Sequence, residues 1–69
     1  MKSLKQRLTE ANIKIDTHAT DLYFEDTKQS REILREYQKD SMVKIRPIFF
    51  VDNIEKRPWI EVPFANYNK

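Results

Sequence analysis

The chain has 69 residues, no cysteine and no glycine, and thirteen Lys and Arg against eleven Asp and Glu give it a formal charge of +2. That length predicts one domain, residues 1–69, close to the lower limit at which a single core offsets chain entropy, with neither a disulfide nor a Cys-based zinc site to assist it. The lack of glycine closes the phosphate-cradling loops of P-loop and dinucleotide-binding proteins, the small net charge argues against a dedicated nucleic-acid binder, and no apolar run has the length of a bilayer span or the form of a signal peptide. A soluble, cytoplasmic protein without a cofactor or a membrane partner is expected.

In chain order, Ser3 and Gln6 have capping-box spacing, and Leu4, Leu8 and Ala11 fall on one face of a helix that ends near Asn12, where asparagine can take the left-handed conformation that glycine would otherwise supply. Ile13 and Ile15 flank Lys14 as an extended connector before the polar run DTHAT. The tetrapeptide LYFE reads as a short strand with Leu22 and Phe24 on one side and Tyr23 on the other. Asp26 or Thr27 caps a second helix, with Gln29 three residues after Asp26, and Ile33, Leu34 and Tyr37 form its apolar stripe as far as about Asp40. The pairs Lys28 with Glu32 and Glu36 with Lys39 belong to its solvated faces.

Residues 43 to 64 read as a hairpin around the loop DNIEKR. Val43, Ile45, Phe49 and Val51 on the first strand, and Ile60, Val62 and Phe64 on the second, are expected to face the helices. Pro47 and Pro63 must then lie at strand ends, edges or bulges, because proline donates no ladder hydrogen bond. The expected fold class is α+β: two helices packed on one face of a small, mainly antiparallel three-stranded sheet, in the order α-β-α-β-β.

This alternation leaves large apolar side chains over. If Ile45 faces Phe64 and Phe49 faces Ile60, Phe50 stands beside Trp59 on the uncovered face, joined by Ile48, Met42 and the stems of Lys44 and Arg46, with Lys56 and Arg57 at the loop and Tyr67 beyond. Three uses fit such an aromatic and basic patch. A terminal segment folds over it; a protein partner or a second copy covers it, since Trp, Tyr, Phe, Met and Arg dominate interface hot spots; or it stacks the bases of single-stranded nucleic acid. The candidate partner-binding residues are Arg46, Ile48, Phe50, Arg57, Trp59 and Tyr67.

Asp16, Asp21, Glu25 and Asp26 make the intervening segment acidic around His18, the one histidine of the chain. The spacing D-x-H-x-x-D is a fragment of a metal site and a histidine near carboxylates can act as a base, but neither chemistry has converging partners here, and caps and turns account for the aspartates. No metal ligand and no catalytic residue is expected. Asp16, Asp21 and Glu25 form instead an acidic surface that pairs with a basic partner or mimics nucleic acid.

DLYFEDTKQSREILREY followed by PWIEVPFANY resembles a D-L-Y, capped helix, W-x-x-x-P-F-A-x-Y pattern of small uncharacterised proteins of bacteriophages and mobile elements. The resemblance covers about two-thirds of the chain and carries no assigned functional residue. It implies a viral, protein-binding inhibitor acting in a bacterial host cell by surface complementarity, of the anti-defence kind to which anti-CRISPR proteins belong. The function expected is therefore a non-enzymatic protein-binding module directed at a host protein or complex, with a homodimer as a further possibility. The rival expectation is a small single-stranded nucleic-acid binder that uses Phe50, Trp59 and the Lys and Arg side chains of the same face.

Overall fold

A computed structural model describes residues 2–18 and 21–63, apart from the side chain of His18. Phe64 and Tyr67, given roles above, lie outside the described residues. The chain runs α1 (Leu4–Glu10), β1 (Ile15–His18), β2 (Asp21–Glu25), α2 (Lys28–Ser41), β3 (Ile48–Val51) and β4 (Pro58–Pro63). The strands form an antiparallel sheet in the order β1-β2-β4-β3. The α+β class is as expected.

The expected three-stranded sheet is corrected to four strands, and the order α-β-α-β-β to α-β-β-α-β-β. Ile15 to His18, taken for connector and polar loop, pair with β2 in the register Ile15 with Phe24 and Thr17 with Leu22. Their polarity hid them, because an edge strand with one open face needs few apolar side chains. The other correction is the start of β3 at Ile48 instead of Val43. Pro47 fixes that boundary, and Ile45 is buried without belonging to a strand.

Caps do the work that glycine does elsewhere. The Ser3 hydroxyl accepts from the Gln6 amide at 3.1 Å. At the other end of α1, Asn12 has φ 61°, its amide donates to the Thr9 carbonyl at 3.1 Å and the Ile13 amide to the Leu8 carbonyl at 3.0 Å, which is a Schellman ending built on asparagine. Thr27 caps α2, and the third helical residue completing the box is Ser30. The Ser30 amide donates to Thr27 Oγ1 at 3.0 Å and the Thr27 amide to Ser30 Oγ at 2.8 Å. This exchange explains how the fully buried Ser30 is tolerated.

Leu4 and Leu8 of α1 and Leu34 and Tyr37 of α2 pack with Ile45 onto Leu22, Phe24, Ile60 and Val62 of the sheet. Arg7 ties the helices together: its guanidinium meets Asp40 at 2.9 Å and lies 5.4 Å from the centre of the Tyr37 ring. After α2 the chain turns through Met42 at φ 58° and returns along the helix, held where the Ile45 amide donates to Gln38 Oε1 at 2.9 Å. That return delivers β3 to the far edge of the sheet. The helices do not reach across it, so Phe49 and Val51 share the helix side of the sheet with Ile60 yet remain 51% and 57% exposed.

Thr27→Ala removes the acceptor for the Ser30 amide and is expected to cost about 1 kcal/mol. Urea unfolding should show a lower midpoint with an unchanged slope, whereas Phe24→Ala, at the centre of the core, should cost roughly 3–5 kcal/mol.

Candidate functional site

Successive side chains of a strand point to opposite faces, so the register places the open face without ambiguity. Trp59 of β4 stands between Glu25 of β2 and Phe50 of β3, and Glu61 stands between Tyr23 and Ile48. Asp16 of β1 is opposite Tyr23. Phe50 is thus beside Trp59 on the side away from the helices, as the sequence predicts. The Tyr23 ring, reaching over β4, meets the Phe50 ring edge to face at 6.0 Å between centres.

Trp59 is not a free knob on this face. The residue is only 9% exposed, and its indole Nε1–H donates to Asp52 Oδ2 at 2.8 Å. The other carboxylate oxygen of Asp52 accepts from the amides of Ile54 at 2.8 Å and Glu55 at 2.6 Å, and the Asp52 amide closes the loop on the Arg57 carbonyl at 3.1 Å. The loop DNIEKR, whose geometry is unreadable in a glycine-free sequence, is therefore an Asp-nucleated turn with Lys56 at φ 59° as its left-handed residue. These hydrogen bonds, the Glu55 amide first, hold the Asp52 carboxyl below its ordinary value. The turn and the indole brace each other.

An open groove of about 580 Å³ lies over the braced indole. Tyr23, Phe50, Trp59 and the 92% exposed Ile54 give it an apolar floor and one apolar lip, while Asp16, Asp52 and Glu55 rim it. Beside it, Glu61 hydrogen-bonds to the Asp21 carboxyl, and that contact, with partial burial, raises the Glu61 carboxyl above its ordinary value. The Tyr23 phenol is raised in turn, first by burial and then by the Glu61 charge. Negative side chains crowd this part of the sheet.

Asp16, Asp21 and Glu25, expected as a separate acidic surface, are thereby joined to Phe50 and Trp59 on one face. Lys14 and Arg57 bring positive charge to this face through ion pairs. Lys14 lies 3.8 Å from Glu55, and Arg57 reaches Glu25 at 3.5 Å and Glu55 at 3.7 Å. The patch is aromatic and acidic, where the sequence reading made it aromatic and basic. Arg46 is exposed in the segment leading to β3, Ile48 is half exposed at the sheet edge, and neither lines the groove. Tyr23, Asp52, Ile54 and Glu61 belong to the face and were not singled out from sequence. The alternation of LYFE already set Tyr23 opposite Leu22 and Phe24, but only the pairing of β2 with β4 shows that this is the Trp59 side.

Among the described residues no three His, Cys, Asp or Glu side chains form a group that could hold a metal ion, and no helix is long and apolar enough to cross a membrane. No protein-family model, curated protein or solved structure matches the chain.

Glu61→Gln reproduces the protonated carboxyl: its amide can donate to Asp21 while its carbonyl accepts from Tyr23. A carboxyl raised in the folded state favours folding when protonated, below its ordinary value of 4.5, and loses that contribution as pH rises through the folded value. The variant is therefore expected to be more stable than the parent at pH 7 and equal to it near pH 4, as read by urea unfolding at the two pH values.

Proposed function

We propose that this protein is a non-enzymatic binding module whose open sheet face takes a basic segment of a partner protein. The observation that supports the reading is the groove of Tyr23, Phe50, Trp59 and Ile54 rimmed by Asp16, Asp52 and Glu55, with Asp21 and Glu61 crowded beside it. An arginine or lysine entering such a groove gains contact with aromatic faces, donates charge-assisted hydrogen bonds to carboxylates, and relieves the repulsion among them. The indole braced by Asp52 supplies a rigid floor, which lowers the ordering cost of binding.

The setting proposed for this module comes from the resemblance of its sequence to small phage and mobile-element proteins. In that setting the protein is an inhibitor of a host protein or complex, such as a defence component, acting in the bacterial cytoplasm by surface complementarity. Host proteins that handle nucleic acid present basic surfaces to it, and an acidic aromatic face competes for them. The same face suits single-stranded nucleic acid poorly, because carboxylates rather than Lys and Arg border its aromatic rings and repel a phosphate backbone. Phe50 is the residue expected to contribute most to binding, with Asp16 and Glu55 setting charge preference.

The test is a titration of two probes, a Lys- and Arg-rich peptide and a labelled oligothymidine, at low and moderate salt. The peptide is expected to bind with an affinity that falls as salt rises, and the oligonucleotide to show no binding. Phe50→Ala should weaken the peptide on the order of thirtyfold, and Asp16→Lys should reverse the preference between probes, both with an unchanged circular dichroism spectrum. Oligonucleotide binding by the parent protein, or a peptide affinity indifferent to Phe50 and Asp16, overturns the reading.

A further inference from the structure

The two edges of the sheet are built differently. In β1 the Glu25 amide bonds the Lys14 carbonyl at 3.0 Å, and by the antiparallel alternation the main-chain groups of Ile15 and Thr17 then point outward. The outward Thr17 amide is met by the carboxylate of its own neighbour Asp16 at 2.8 Å. Polar side chains and a capped donor blunt that edge, which is how soluble proteins discourage strand addition.

Among the described residues, β3 itself carries no such device, and Pro47 bounds it at its start. The Asp52 amide bonds the Arg57 carbonyl, so the pairs Phe50 with Trp59 and Ile48 with Glu61 exchange hydrogen bonds, and the N–H and C=O groups of Phe49 and Val51 point away from β4. No described strand lies beyond them. All four residues of the strand, Ile48, Phe49, Phe50 and Val51, are apolar, and Ile48, Phe49 and Val51 are each more than half exposed. Without proline, charge or bulge, the strand is a template for another strand of the same kind.

We propose that β3 is the interface of a homodimer, in which two copies join antiparallel at this edge into one continuous sheet. The register follows from which groups face outward. The antiparallel register that satisfies the outward groups of both strands pairs Phe49 with Val51 of the second copy and Val51 with its Phe49, which places the two Phe50 residues side by side on the twofold axis in a pair without hydrogen bonds. A large and a small side chain then meet on the helix side, and the two rings meet on the open face. Charge selects the direction: Arg46 stands two residues before the strand and Asp52 directly after it, while Glu55 further round the loop is balanced by Lys56 and Arg57. An antiparallel copy brings Arg46 diagonally towards Asp52 of the second copy, whereas a parallel one sets like against like. The strand is thus complementary to itself, and for that reason the occupant is a second copy of this chain rather than an unrelated strand.

The absence of cysteine in the sequence permits a direct test. Cα atoms of a pair without hydrogen bonds are about 4.5 Å apart, within disulfide range, while two copies of position 51 are offset along the strands beyond it. Under mild oxidation Phe50→Cys is expected to form a covalent dimer and Val51→Cys to remain largely uncross-linked. Light scattering on the unmodified full chain should show a mass that rises with concentration from 8.4 kDa towards twice that value. Val51→Lys, at an exposed position, should hold the lower mass throughout while its circular dichroism spectrum stays unchanged. A parent chain that remains monomeric at about 1 mM overturns the dimer. Cross-linking of position 51 as fast as position 50 overturns the register, and should Val51→Lys fail to fold, the contrast between the two cysteine variants still decides.

Discussion

The pairing of β4 with β2 on one side and β3 on the other is the constraint from which both faces of the molecule follow. Because side chains alternate, aligning Ile60 with Phe24 and Phe49 also aligns Trp59 with Glu25 and Phe50. A slip of one residue would carry Ile60 and Val62 out of the core and the Glu61 carboxylate into it. The core therefore fixes the register, and the register in turn assembles the groove. Asp52 locks the same alignment from the loop, since it bonds the indole of one strand while sitting at the end of the other. Stability of the fold and composition of the open face are one problem here.

A chain without glycine has to turn on residues that carry a Cβ, and among the described residues three take positive φ: Asn12, Met42 and Lys56. For Met42 and Lys56 the left-handed conformation costs roughly 1–2 kcal/mol each, and less for Asn12, whose short side chain suits it. The surroundings offset these costs with hydrogen bonds that tie each turn in place, through Thr9 and Leu8 after α1, through Tyr37, Ser41 and Gln38 after α2, and through Asp52 before β4. Turns held so firmly fix the angle at which each element leaves. That rigidity carries β3 beyond the reach of the helices.

Much of this was legible because it obeys simple periods. The stripe Leu4 and Leu8, the stripe Ile33, Leu34 and Tyr37, the opposition of Phe49 to Ile60 and of Phe50 to Trp59, and the left-handed Asn12 all follow from helical spacing, strand alternation and the rarity of glycine. The strand β1 was not legible, since IDTH on an edge has the composition of a loop. Nor was the chemistry of the open face. Balanced totals of acidic and basic residues hid how they are sorted: the helices mix Lys5, Arg7, Lys28, Arg31, Arg35 and Lys39 with Glu10, Glu32, Glu36 and Asp40, whereas the strands hold Asp16, Asp21, Glu25 and Glu61 and no Lys or Arg. Composition sums charges, and only strand order sorts them. The braced indole was missed for a similar reason: the Asp52 side chain reaches Trp59 seven residues on, through a turn that no glycine marks.

The exposed apolar strand and the acidic groove share Phe50, and this sharing relates the two uses inferred for the sheet. On the helix side Phe49 is half covered by the Arg31 guanidinium, which lies 4.7 Å from its ring centre and is itself held by Asp26 at 2.6 and 2.8 Å. That arrangement supports the strand without covering its outer backbone. A second copy paired there would remove from water the apolar surface of β3 and complete its hydrogen bonds, an addition of weight to a domain whose own core is close to the minimum. It would also set two acidic grooves next to each other across a continuous sheet, with the paired Phe50 rings between them. A partner carrying two basic segments would then meet both grooves at once, and the second contact would form at the high effective concentration that a fixed spacing confers. Self-association and partner binding would in that case reinforce each other, because pairing stiffens the very ring that the groove presents.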